Sequence, residues 1–140
     1  MRRYLVVANL TVTEPHLLDK VRDCMAAGEA SFHIVVPATH DHGVVWTESQ
    51  AQAEAKQRLD AGLEAFAALG ADVTGEVGDP SPVQAVGDVL LQQDFDEIIL
   101  STLPAGPSRW LKQDVVSRMS RRYDIPVTHV AADPAAARAS

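Results

Sequence analysis

A single cysteine, Cys24, stands in a chain of 140 residues. An intramolecular disulfide is therefore excluded, and nothing in the cysteine usage points to an oxidising compartment. Basic residues are also few, 12 against 19 acidic ones, for a formal net charge of −7. A general nucleic-acid binder needs a basic footprint that this balance does not supply. The same deficit disfavours tight association with an anionic membrane surface. No apolar run approaches the roughly 20 residues of a transmembrane helix. The run from Tyr4 to Ala8 is too short for the apolar centre of a secretion signal, and no small-residue cleavage site follows it. A cytoplasmic protein is the expectation. Glycine runs out early, because none follows Gly106.

What is present is the composition of an ordinary soluble domain, 46% hydrophobic and 22% charged. The length suits one core able to stand alone. Short apolar runs alternate with longer segments of helical period, the signature of βαβ units. Strands are predicted at Tyr4–Ala8, Phe32–Val36, Asp72–Val77, Glu97–Ser101 and Val127–Ala131. Helix one is predicted over Glu14–Ala27, capped by Thr13, with Leu17, Val21, Cys24 and Met25 on one face. Helix two opens on Thr47-Glu48-Ser49-Gln50, a capping box, and closes near Gly70. Helix three opens on Ser81-Pro82-Val83-Gln84 by the same logic. Helix four starts near Ser108 and runs to about Arg122, with Leu111, Val115 and Met119 as its apolar stripe. Right-handed crossovers covering both faces give a doubly wound α/β sheet. Residues 2–131 form one domain, and 132–140 a loose tail without periodicity.

Five segments in order carry a resemblance to a known family. They are Arg3-Tyr4-Leu5-Val6-Val7-Ala8, Phe32-His33-Ile34-Val35-Val36-Pro37, Gly75-Glu76-Val77-Gly78-Asp79-Pro80, Asp96-Glu97-Ile98-Ile99-Leu100-Ser101 and Ile125-Pro126-Val127-Thr128-His129-Val130. Together they resemble the universal stress protein family. The third is similar to that family's G-x-x-x-G-D-P passage, the fourth to its D-x-I-V-x-G strand. The resemblance implies a five-stranded parallel sheet in the order 3-2-1-4-5. It also implies a stress-response or signalling role and a homodimer formed through the last strand. That strand offers Val127, Thr128, His129 and Val130 and carries no charged gatekeeper.

The ATP-binding members of the family carry Gly-x2-Gly-x9-Gly-Ser/Thr after strand four, glycines that let backbone amides approach phosphate. The corresponding stretch here, Ser101-Thr102-Leu103-Pro104-Ala105-Gly106-Pro107-Ser108-Arg109, cannot complete that triad, and its two prolines remove amide donors. The family's nucleotide-contacting Asp after strand one is absent, and Asn9 stands near that place. A binding protein without the usual ATP site, with no resident cofactor and no catalytic residues, is the first expectation. A nucleotide binder for ATP or AMP with a rearranged phosphate loop, turning over slowly as an ATPase, is the alternative.

The implied strand order puts a switch point between strands one and four, where open α/β sheets bind ligands. Asn9, Val36, Ser101, Thr102, Gly106, Ser108 and Arg109 are the residues expected there. A helix N-terminus with an arginine suits an anion; the bland reading makes Ser108 a cap and Arg109 solvated. His40-Asp41-His42 holds two imidazoles and a carboxylate, yet no further ligand cluster is evident, and a solvated loop is the simpler reading. Cys24 falls on the core face of helix one as a structural thiol. No Gly-x-Ser-x-Gly elbow exists, and the sequence by itself assembles no catalytic triad from His16, His33 or His129. Helix four is the one basic segment, with Arg109, Lys112, Arg118, Arg121 and Arg122. Cations near a helix C-terminus are favoured by the dipole; docking to an acidic partner or to a nucleic-acid phosphate is the functional alternative.

Overall fold

The continuous apolar character of Tyr4-Leu5-Val6-Val7 demands cover on both faces, and strand β1 (Arg2–Val7) obtains it at the centre of a parallel sheet. The computed structural model describes residues 1–38, 47–103 and 109–131, apart from the side chains of Glu48, Arg109 and Lys112. Among them, β1 is flanked by β2 (Ala30–Pro37) and β4 (Glu97–Thr102), with β3 (Asp72–Gly78) and β5 (Val127–Ala131) at the edges. All four pairings are parallel, and the order is 3-2-1-4-5. Helices α1 (Pro15–Ala27) and α2 (Glu48–Ala68) cover one face, burying Tyr4, Val6, Phe32, Ile34 and Ile99. Helices α3 (Pro82–Leu90), α4 (Arg109–Lys112) and α5 (Val115–Arg122) lie on the other face, over Leu5, Val7, Val35, Ile98 and Leu100. The doubly wound α/β fold is thus present with the expected order.

Local signals set most boundaries. Thr47 and Gln50 form the reciprocal box at the start of α2: Gln50 N donates to Thr47 Oγ1 at 3.2 Å, and Thr47 N to Gln50 Oε1 at 2.9 Å. At α3, Ser81 accepts from Gln84 N, while the Gln84 amide turns outward to Asp88. Two expectations are corrected. Thr13 does not cap α1. Pro15 takes the first helical position and forces the preceding residue into extended geometry, so Glu14 (φ −75°, ψ 149°) becomes the N-cap. The single fourth helix is two, because Asp114 adopts φ 57°, a left-handed conformation that a short polar side chain tolerates. The break leaves Val115 and Met119 fully buried, and Arg118, Arg121 and Arg122 in solvent.

Gly75 and Gly78 show why the third strand carries glycines three residues apart. An odd spacing on a strand points the two positions to opposite faces. A Cβ at Gly75 would lie 2.5 Å from Leu59 of α2, and one at Gly78 2.9 Å from the Cβ of Ala85 of α3. Each glycine lets one helix layer close on the edge strand. Cys24 is buried, and burial pushes its thiol pKa up, as befits a structural thiol.

Candidate functional site

The carboxyl ends of β1 and β4 diverge to helices on opposite faces, β1 to α1 and β4 to α4, which opens a crevice. Four polar residues there are almost wholly buried: Asn9, Thr11, Ser101 and Thr102, each no more than 4% exposed. Buried polar atoms must find partners, and these are satisfied by both side chains and main-chain carbonyls.

Asn9 donates from Nδ2 to the carbonyl of Pro37 at 2.6 Å, tying the end of β1 to the end of β2. Its Oδ1 accepts from Arg58 Nη1, and Arg58 Nη2 donates to Glu54 one turn back on α2. Asn9, at the end of β1, is therefore held by an arginine from inside the fold. Ser101 Oγ lies 2.6 Å from Thr11 Oγ1 and 2.9 Å from His16 Nε2. Its neighbour Thr102 points to the opposite sheet face, as successive strand residues must. There Thr102 donates its one proton to the carbonyl of Leu103 at 2.7 Å. The second contact, 2.8 Å to His129 Nε2, must then be donated by the imidazole.

Two hydroxyl–imidazole pairs thus sit back to back across the end of β4. Burial holds the His16 pKa below its ordinary value, helped by His129 and opposed by Glu14 and Asp19. Partial burial of its ring lowers that of His129 too. Both shifts favour the neutral imidazole, so the two rings offer hydrogen-bonding groups, while the cation at the crevice, Arg58, is held by Asn9 and Glu54.

Of the residues expected here, Asn9, Ser101 and Thr102 converge. Val36 is fully buried in the core beneath α1 and α2, so its side chain is packing rather than lining. Arg109 opens α4, its side chain outside the described residues, as are Gly106, Ser108, His40 and His42. Among the described residues no group of three or more His, Cys, Asp or Glu is arranged to hold a metal. Sequence reasoning missed Arg58, Glu54 and His16 as site members. Arg58 had a signal: it borders the inward stripe Ala51, Ala55, Leu59 and Phe66, where a guanidinium must have a local partner.

No family model and no curated protein matches the chain. Solved structures do. A protein of the universal stress protein family from Burkholderia pseudomallei aligns with 15% identity and TM-score 0.67, over 93% of this chain and 96% of its own. A universal stress protein from Archaeoglobus fulgidus aligns with 13% identity and TM-score 0.66, over 93% and 98%. A universal stress protein in complex with cAMP aligns with 16% identity and TM-score 0.62, over 92% and 96%. At these identities the likeness is one of fold, and it spans nearly the whole of each chain.

Proposed function

We propose that the protein acts by binding, as a cytoplasmic stress-response or signalling protein of the universal stress type, without the triphosphate cradle of the ATP-binding members. The observation that carries this reading is the self-satisfaction of the crevice. Asn9 is occupied by Arg58 and Pro37, and Ser101 by Thr11 and His16. A nucleotide would have to displace these bonds, each worth about 0.5–1.5 kcal/mol net. It would have to do so without the glycines that admit backbone amides to phosphate. No helix among the described residues is long and apolar enough to cross a membrane. Denaturing the purified protein and chromatographing the released material tests the reading. No stoichiometric adenine nucleotide is expected; one per chain overturns it.

A second reading has its own support, since one structural neighbour is in complex with cAMP. In it, the crevice takes ATP or AMP through a rearranged loop. Calorimetric titration with ATP, AMP and cAMP separates the two, and saturable binding favours the second. The same proposal includes a homodimer through β5, an edge strand with Val127, Thr128 and Val130 half-buried. Light scattering coupled to gel filtration is expected to give twice the chain mass; a monomer throughout a concentration series refutes the dimer.

A further inference from the structure

The structure builds, away from the crevice, a relay that no sequence motif announces. His33 of β2 stands in register with Thr74 of the edge strand β3, and Glu76 lies two residues further along the same face. The imidazole lies between them, with Nδ1 2.7 Å from Thr74 Oγ1 and Nε2 3.0 Å from Glu76 Oε2. A carboxylate has only acceptors, so Nε2 must carry the proton. In the neutral form of the ring Nδ1 presents its lone pair, and the Thr74 hydroxyl donates into it. His33 is 7% exposed, and Phe95 lies against it with ring centroids 6.0 Å apart, which holds the ring in place. Thr74 is exposed at the sheet edge. A hydroxyl facing a base, the base oriented by a carboxylate, is the arrangement that activates a nucleophile.

We propose that Thr74 is a self-acylation site for small activated acyl esters, with His33 as its general base and Glu76 as a positioning residue. Thr74 Oγ attacks the carbonyl carbon while its proton passes to His33 Nδ1. The bond from that carbon to the leaving oxygen breaks, and the leaving group departs with the electron pair. The acyl group stays on Thr74, and the proton on His33 returns to solvent. An edge strand leaves alternate main-chain N–H groups without a partner in the sheet, donors of the kind that steady a developing oxyanion.

The test uses the full chain and p-nitrophenyl acetate, following p-nitrophenolate release and locating the acetyl group by peptide mass spectrometry. Wild type is expected to release one equivalent in a burst and carry acetyl on Thr74. Thr74→Val, nearly isosteric at an exposed position, loses the burst, and Thr74→Ser restores it. Glu76→Gln keeps an acceptor for Nε2 but removes the charge. It is expected to slow acylation at least tenfold, within the roughly 10²–10⁴-fold range of general-base assistance. It should also diminish the solvent deuterium isotope effect on the burst, while the thermal midpoint is unchanged. An undiminished burst in Thr74→Val, acetyl found only on lysines, or no burst in folded wild type overturns the proposal.

Discussion

Replacing Gly78 by alanine should destabilise the fold by wedging α3 away from β3. The added Cβ would lie 2.7 Å from Val35 Cγ2 and 2.9 Å from Ala85 Cβ, against about 3.5–4.0 Å for ordinary carbon contacts. Val35 is fully buried, and the Cβ of Ala85 has no rotamer through which to escape. The backbones must therefore separate, an overpacking that costs about 1–3 kcal/mol. Stiffening the unfolded chain returns about 0.4–1 kcal/mol, leaving a net loss of roughly 1–2 kcal/mol. For a chain of this length that is a fall of about 4–7 °C in thermal midpoint. Ala85→Gly, which removes the opposing carbon, costs about 1 kcal/mol through helix propensity. Since the two changes relieve one another, Gly78→Ala/Ala85→Gly should cost less than their sum by about 1 kcal/mol. Calorimetry or circular dichroism on the four proteins completes the cycle. A wild-type midpoint for Gly78→Ala, or strict additivity in the double variant, would refute the close packing.

Ser101→Ala is expected to cost about 1–3 kcal/mol in urea unfolding, because it strands Thr11 Oγ1 and His16 Nε2 without their shared hydroxyl; an unchanged midpoint would show that water replaces it. The pH dependence has a definite sign. The fold holds His16 below the reference value of 6.5, so on acidification the unfolded chain takes up its proton first. The stabilisation is complete above that value, fades as pH falls below it, and is exhausted once the folded ring protonates; His129 contributes in the same direction. Between about pH 7.5 and about pH 5.5, wild type should therefore lose more stability than His16→Asn. Equal losses would remove His16 from the account.

The sheet was legible because its determinants are local. Apolar runs, capping residues and glycines at helix ends lie within a few residues of what they control, as at Thr47–Gln50 and Gly70. The order of the strands came from the resemblance of five segments, not from periodicity. The helix break at Asp114 was not legible, since the apolar stripe Leu111, Val115, Met119 continues across it and only a backbone angle interrupts the helix. The crevice was half visible. Asn9, Ser101 and Thr102 follow directly from strand ends, whereas Arg58 reaches Asn9 across 49 residues of sequence. His33, Thr74 and Glu76 meet only through a register between two strands, a long-range pairing that no window of sequence contains.

The alternation at Ser101 and Thr102 ties the chemistry of the crevice to the alignment of the whole sheet. Sliding β4 by one position would exchange the two hydroxyls between faces, deprive both imidazoles of their partners at once, and turn Ile98 and Leu100 toward the wrong helices. The polar end of this strand thus acts as a keyed joint. A substitution there is felt as a misaligned sheet as well as an altered crevice.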